Sequence, residues 1–265
     1  MEERPTGTPG AMLAPALVGA AFLLLPLAAL LARAPWGRMV AILTEPGVRS
    51  ALWLSLWTAS SATAVALLVG VPLAWLLARG AFPGRRILRA LVTLPLVLPP
   101  VVGGVALLMA FGRAGFVGRL LDDYFGLTIP FSPLAVVMAQ IFVAMPFLVI
   151  TVEGALRAAD RGIEEAAASL GASRLTIVGR VTLPMIRPSL VAGAVLCWAR
   201  ALGEFGATIT FAGSLPGRTQ TMPVAVYYTL ETDPEAAIGL SLVLLLFSVG
   251  VLVALRDRWL GGLRP

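Results

Sequence analysis

The sequence contains no histidine, no lysine and only one cysteine, Cys197. Without histidine it lacks the usual general base and the commonest metal ligand. Without lysine it cannot contain a GxxxxGK[ST] phosphate-binding loop, so any ATP must bind to another chain. One cysteine cannot form a disulfide framework or a thiolate cluster. The sequence therefore predicts no catalytic residue, no metal site and no cofactor on this chain.

Charge is also scarce. Charged residues make up 13% of the 265 residues, whereas hydrophobic residues make up 58%. A soluble domain of this length needs more charge to cover its surface. We therefore expect lipid to surround most of the chain. All 20 basic residues are arginine, and with 14 acidic residues they give a net charge of +6, which we assign to membrane topology and anionic headgroups rather than to nucleic acid.

Six apolar runs are long enough to cross a bilayer, which takes about 20 helical residues. The runs are Ala11–Ala32, Ala51–Ala78, Ala90–Gly112, Tyr124–Val152, Pro188–Phe211 and Ala236–Leu255. The first is longer than a usual signal-peptide core and follows two acidic residues, so we expect it to be retained. The expected fold is an all-α polytopic membrane protein with six transmembrane helices.

The distribution of arginine predicts the orientation of these spans. With the N-terminus inside, 13 arginines fall in cytoplasmic segments and 6 in outer loops. Cytoplasmic loops carry the excess of basic residues, so both termini are predicted to be cytoplasmic. The segment between spans four and five then also faces the cytoplasm.

That segment predicts a short surface helix. Residues 162–170 (GIEEAAASL) are strong helix formers, with acidic residues in the first turn, where the helix dipole favours them. Gly171 suits a left-handed C-terminal cap, and Ser173 can cap a second short helix. A helix this short is marginal in water, so it needs a surface or a partner.

The same segment resembles the cytoplasmic loop of bacterial ABC-importer permeases, whose pattern is E-A-A, three residues, G, nine residues, I-x-L-P. Here Glu165-Ala166-Ala167 is followed at those spacings by Gly171 and by Val181-Thr182-Leu183-Pro184, with valine replacing isoleucine. The resemblance implies a coupling helix that docks into a dimer of ATPase subunits, which would hold ATP and Mg. The residues assigned to coupling are Glu164, Glu165, Ala166, Ala167, Gly171, Leu183 and Pro184. An amphipathic helix lying on the membrane surface is the alternative.

The fifth run contains Arg200 and Glu204, four residues apart and therefore on one helix face. Charges at membrane depth usually face a bundle interior or a wet cavity, so the pair is either a structural ion pair or part of a pathway or gate. The following Gly206, Thr208 and Thr210 are small or hydroxylated and are further pathway candidates.

The third run begins with TLPLVLPPVVGG, which cannot form a smooth helix. Irregular backbone at membrane depth occurs where it is buried in protein or lines water. Pro95, Pro99 and Pro100 are therefore candidates for a kinked wall of the pathway, with ordinary helix-kink packing as the alternative.

Residues 199–227 resemble the molybdate-transport permeases of this superfamily, through ARALGEFGA and then FAGSLPGRTQTMPVAVY. The resemblance implies an N-terminal segment (1–47), a permease domain (48–256) and a cytoplasmic tail (257–265) in the bacterial inner membrane. It also implies a homodimer and an extracytoplasmic oxyanion-binding protein, with Arg218, Thr219 and Gln220 as candidate contacts or as a solvated loop. A sulfate or thiosulfate permease and an ion-driven secondary transporter are the alternatives.

Overall fold

The computed structural model describes residues 10–260, and every regular element in that range is helical. The predictions for the two termini concern Met1–Pro9 and 261–265, which lie outside the described residues. A short 3-10 turn (Trp36–Arg38) and a π-helical segment (Val178–Thr182) accompany the α-helices. The α-helices are α1 (Gly10–Ala32), α2 (Met39–Thr44), α3 (Pro46–Arg79), α4 (Arg85–Val97), α5 (Pro100–Phe111), α6 (Phe116–Phe125), α7 (Pro133–Ala158), α8 (Arg161–Ser169), α9 (Arg174–Ile177), α10 (Leu183–Met185), α11 (Arg187–Leu202), α12 (Gly206–Phe211), α13 (Met222–Thr232) and α14 (Pro234–Leu260).

The helices confirm an all-α polytopic membrane fold. Among the described residues, α1, α3, α7 and α14 are each long and apolar enough to cross a membrane. Two bent helix pairs, α4 with α5 and the Arg174–Met185 segment with α11, raise the number to six if each pair is one span. The structure therefore supports four to six spans.

Small residues bring α3 against α7 and α11. Ala59, Ala62, Ala66 and Ala74 of α3 recur every three or four residues (with Gly70 also on this face) and are completely buried. A stripe of small residues lets helix backbones approach closely in a membrane. The stripe joins buried residues of α7 and α11 in the main apolar core of the chain.

The predicted third span is broken rather than continuous. The axes of α4 and α5 differ by 120°. Leu98 and Pro99 separate the two helices in extended conformation, because a residue that precedes proline is sterically disfavoured from the helical region. Each arm is only 13 or 12 residues long, shorter than the about 20 residues that a span needs.

The fourth and last spans differ from their predicted bounds. The predicted fourth span began at Tyr124, but that residue lies in the separate amphipathic helix α6, which ends at the left-handed Gly126. Helix α7 begins only at Pro133, where the Ser132 hydroxyl accepts a hydrogen bond from the Ala135 amide. The fourth span was predicted from its lack of charged residues alone, and that criterion does not detect Gly126, which ends α6, or Ser132, which caps α7. At the other end, α14 continues to Leu260, into the predicted tail.

Helix α1 has none of its predicted span buried within this chain. The segment that follows it is fastened to the start of α14. Arg38 reaches Asp233 at 2.9 Å and Glu235 at 3.1 Å. Hydrogen bonds from the Ala236 amide and from Arg38 lower the pKa of Asp233, and the two carboxylates raise the pKa of Arg38. The connection to α14 thus combines these ion pairs with an apolar contact, in which Ile42 is buried with Leu240 and Val243.

Candidate functional site

The loop between α7 and α11 folds as predicted into a capped surface helix, a glycine turn and a second short helix. Asp160 caps α8 by accepting a hydrogen bond from the Gly162 amide at 2.8 Å. Gly171 has φ +84°, and the amides of Gly171 and Ala172 bond to the carbonyls of Ala168 and Ala167, which is the Schellman pattern. Ser173 caps α9 through the Thr176 amide.

Helix α8 presents an exposed face that is partly apolar. Glu165 and Ala166 of the E-A-A triplet lie on it, and Ala167 is half-buried. The structure adds three apolar residues that sequence reasoning missed: Ile163, Leu170 and Leu175 are 50%, 89% and 85% exposed. The sequence does show these apolar side chains within a loop that carries many charges, and that pattern could have identified them. Exposed apolar residues rimmed by polar ones are typical of a protein contact.

Glu164 does not lie on that face. Its Oε1 accepts hydrogen bonds from Arg79 at the end of α3, at 3.1 Å, and from the Thr182 hydroxyl, at 3.0 Å. The side chains of Arg79 and Glu164 are only 11% and 18% exposed. The carboxylate predicted to contact an ATPase is thus already occupied by two partners within this chain.

A groove of about 430 Å³ lies between α8, α9 and the end of α3. Its lining residues include Trp75, Arg79, Arg161, Glu164, Glu165 and Arg174. Glu165 therefore borders both this groove and the exposed face of α8.

The I-x-L-P part of the loop motif serves to join the loop to the bundle. Val178–Thr182 is π-helical, a rare conformation that is frequent at functional sites and that the sequence did not predict. Leu183 packs against the main apolar core, and Pro184 follows directly after the π-helical segment, in α10. Leu183 and Pro184 therefore position the loop and are not part of the exposed face of α8.

A second charged cluster, also missed by sequence reasoning, lies at the same end of the bundle. Glu153 of α7 is 5% exposed, accepts a hydrogen bond from Arg89 of α4 at 2.6 Å and forms an ion pair with Arg157 at 2.7 Å. Arg89 also donates to the Leu77 carbonyl at 3.2 Å. The cluster joins α3, α4 and α7.

The fifth predicted span is interrupted between α11 and α12. Arg200 and Glu204 form the ion pair expected from their spacing, at 2.7 Å, with the Glu204 side chain 1% exposed. The other Glu204 oxygen accepts from the Ala207 amide at 2.8 Å, so it satisfies a free amide at the start of α12. The pair therefore fixes the break in the helix.

The two broken segments pack against each other. A Cβ on Gly206 would lie 3.0 Å from Pro100, and a Cβ on Gly104 would lie 2.8 Å from the Ala207 carbonyl oxygen. Pro99 and Pro100 are exposed, whereas Pro95 is half-buried. Of the residues predicted to line a pathway, Pro100, Gly206 and Thr210 are thus brought together at the α5–α12 contact, which requires glycine at positions 104 and 206.

The hydroxylated candidates differ in exposure. Thr208 is completely buried and its hydroxyl has no hydrogen-bond partner among residues 10–260, whereas Thr210 is half-buried and donates to the Gly206 carbonyl. Gln140 of α7, which the sequence did not single out, is also completely buried, and within the same described range neither of its amide atoms has a partner. Thr208 and Gln140 are buried polar groups and do not line an open surface of this chain.

The three residues predicted to contact a binding protein lie in the loop before α13 and differ in exposure. Arg218 is exposed. Thr219 is completely buried, and its hydroxyl accepts from the Leu215 amide at 2.9 Å. Gln220 is half-buried and donates to Ser214 at 3.2 Å. Only Arg218 is fully displayed, and the other two hold the loop in shape.

The comparisons with known proteins agree with this architecture. The family of binding-protein-dependent transport system inner membrane components matches residues 70–262. The chain is 49% identical over 254 residues to a molybdenum transport system permease protein of Mycobacterium tuberculosis, covering 96% of each. It is 38% identical over 240 residues to a sulfate transport system permease protein of Salmonella typhimurium, covering 87% of this chain and 86% of that one.

The fold is also similar to a solved structure. A chain of a bacterial alginate ABC transporter in complex with its periplasmic protein superposes with a TM-score of 0.72 at 17% identity, covering 94% of both chains. At that identity the likeness shows the fold alone.

Proposed function

We propose that this chain, which belongs to the family of binding-protein-dependent transport system inner membrane components, is the permease subunit of an ATP-driven importer of molybdate. The observation that carries the proposal is the folded loop motif, in which Glu165 is exposed on the capped helix α8, Leu170 is exposed at its C-terminal end and Leu175 is exposed on the neighbouring α9. That face fits the groove of a separate subunit better than it fits water.

The energy for transport comes from the partner subunits. This chain contains no lysine and hence no phosphate-binding loop. In the proposed complex, ATP and Mg bind to a dimer of ATPase subunits, and closure of that dimer moves two docked α8 helices. The membrane-spanning permease then translates this movement into opening at the bends between α4 and α5 and between α11 and α12.

The assembly contains two copies of this chain. Helix α1 is unburied within its own chain, so it is free to meet a second copy or lipid. The orientation that places α8 beside the ATPase is the one that the arginine distribution favours, with both termini in the cytoplasm. An extracytoplasmic binding protein delivers the cargo at the opposite face, where Arg218 is exposed.

Molybdate is favoured over sulfate as the cargo by the higher identity to the molybdenum permease. Both are tetrahedral oxyanions, and the interior of this chain offers neutral dipoles rather than a free cation, because Arg200 is paired with Glu204. The binding protein therefore supplies most of the selection. Tungstate shares the route on the same grounds.

The test is competition in proteoliposomes that contain this permease, its ATPase and its binding protein. Labelled molybdate uptake should require ATP and should fall in the presence of unlabelled molybdate or tungstate, with sulfate competing weakly. Sulfate competing best would favour the sulfate-permease alternative, which also predicts two different permeases in the purified complex. Uptake that continues without ATP, on an ion gradient alone, would favour a secondary transporter.

A further inference from the structure

We propose that Arg79, Glu164 and Thr182 form a latch that makes α8 and the end of α3 move as one body. In this account Glu164 is a positioning residue, and Glu165 is the acidic residue that faces the ATPase. The inference rests on the proposed coupling function of α8.

The geometry of the latch is that of a closed ion pair. One oxygen of Glu164 accepts from Arg79 at 3.1 Å and from Thr182 at 3.0 Å. Thr182 is completely buried, and the two charged side chains are 11% and 18% exposed. A charge-assisted hydrogen bond in such a setting is stronger and less screened than one on an open surface. The carboxylate therefore ties α8 to α3 and to the π-helical segment at the same time.

The latch continues into the bundle through the end of α3. Arg89 of α4 donates to the Leu77 carbonyl of α3 at 3.2 Å and to Glu153 of α7 at 2.6 Å. Helices α4 and α5 form one of the bent pairs, and α5 packs against α12. Polar contacts thus connect α8 to α3, and connect α3 to the bent pair of α4 and α5. A displacement of α8 can be transmitted along these contacts.

The neighbouring position provides a contrast. Glu165 is exposed, and its side chain makes no ion pair among the described residues. If both acids simply contacted the ATPase, the same substitution at either position would weaken binding. If Glu164 is a latch, Glu164→Gln leaves the docking face intact and loosens the link behind it.

The experiment compares Glu164→Gln, Thr182→Val and Glu165→Gln in the reconstituted three-component importer. Glu164→Gln and Thr182→Val should bind the ATPase and hydrolyse ATP as the wild type does, while molybdate transported per ATP falls about tenfold, the equivalent of one charged hydrogen bond. Glu165→Gln should instead weaken ATPase binding.

The matched control is Glu231→Gln, the same substitution at an exposed acid near the opposite end of the bundle. It should change neither ATPase binding nor the molybdate transported per ATP. The swap of Arg79→Glu with Glu164→Arg should recover part of the coupling.

A second readout does not depend on the cargo. Spin labels at Ser169→Cys on α8 and Leu76→Cys in the last turn of α3, where the side chain is exposed, report the distance between the two helices in a Cys197→Ser background. The distance should stay constant through the ATP cycle in the wild type and should vary in Glu164→Gln. Three results for Glu164→Gln would each overturn the latch. The variant could transport as much molybdate per ATP as the wild type, its spin-label distance could stay constant through the ATP cycle, or its ATPase binding could be weakened as much as that of Glu165→Gln. Failure of the wild type to take up molybdate would refute the proposed cargo, while the distances would still decide the latch.

Discussion

Glu204 bridges the break between α11 and α12: one carboxylate oxygen lies 2.7 Å from Arg200 of α11, and the other accepts a hydrogen bond from the Ala207 amide of α12 at 2.8 Å. Glu204→Ala removes the partner of a largely buried arginine and the cap of α12, so it should lower the free energy of unfolding by about 2–4 kcal/mol. Glu204→Gln retains an acceptor for the amide and should lose clearly less. Thermal unfolding of the purified permease in detergent measures both, and a Glu204→Ala protein as stable as the wild type would contradict this role.

Two helical glycines provide a matched test of the contact between the broken segments. A methyl group on Gly104 would clash with the Ala207 carbonyl and with Thr210, whereas one on Gly154 would meet nothing within 4 Å. Gly104→Ala should therefore destabilise the protein by about 1–3 kcal/mol through overpacking. Gly154→Ala should stabilise α7 by about 0.5–1 kcal/mol, because alanine loses less backbone entropy in a helix. The same unfolding assay compares them, and equal effects would mean that α5 and α12 are not packed as described.

The exposed leucines of the loop should contribute strongly to docking. Leu170 and Leu175 are 89% and 85% exposed, so changing either does not disturb the core. Leu170→Asp or Leu175→Asp should weaken binding of the purified ATPase by about tenfold or more, through loss of about 1.5–3 kcal/mol of apolar burial. Leu170→Met retains the apolar volume and should bind nearly as the wild type. Calorimetry with detergent-solubilised permease provides the affinities, and wild-type affinity in both aspartate variants would rule out this face as the docking surface.

The link between Arg38 and Asp233 should depend on pH. Hydrogen bonds from the Ala236 amide and Arg38 lower the pKa of Asp233 below its ordinary value of 3.8. A lowered pKa means that the carboxylate stabilises the folded state above that ordinary value and that this contribution is lost as the pH falls below it, through the pKa of the folded state. Asp233→Asn should remove this part of the acid sensitivity. Unfolding of both proteins between pH 2 and 5 tests the effect, and identical pH profiles would contradict it.

The sequence predicted local structure where a single residue type decides it. Gly171 and Ser173 turn and cap the loop in the way their chemistry requires, and each is used so in the structure. The break at Pro99 was likewise predictable, because proline restricts the residue before it. These features depend on neighbours in the sequence.

The sequence failed where a tertiary partner decides the outcome. Glu164 and Glu165 are adjacent and chemically identical, and only the position of Arg79, 85 residues away, separates their roles. Thr219 was predicted to contact a binding protein, but its buried hydroxyl accepts a hydrogen bond from the Leu215 amide and holds the loop in shape. The buried Gln140 lies in an apolar helix whose sequence carries no signal of how it packs.

The proposed coupling to the ATPase requires that α8 lie on the ATPase side of the membrane. In a Cys197→Ser background, Leu170→Cys should react with a membrane-impermeant maleimide in inside-out vesicles only, and bound ATPase should protect it. Reaction in right-side-out vesicles, or equal labelling with and without the ATPase, would contradict the account.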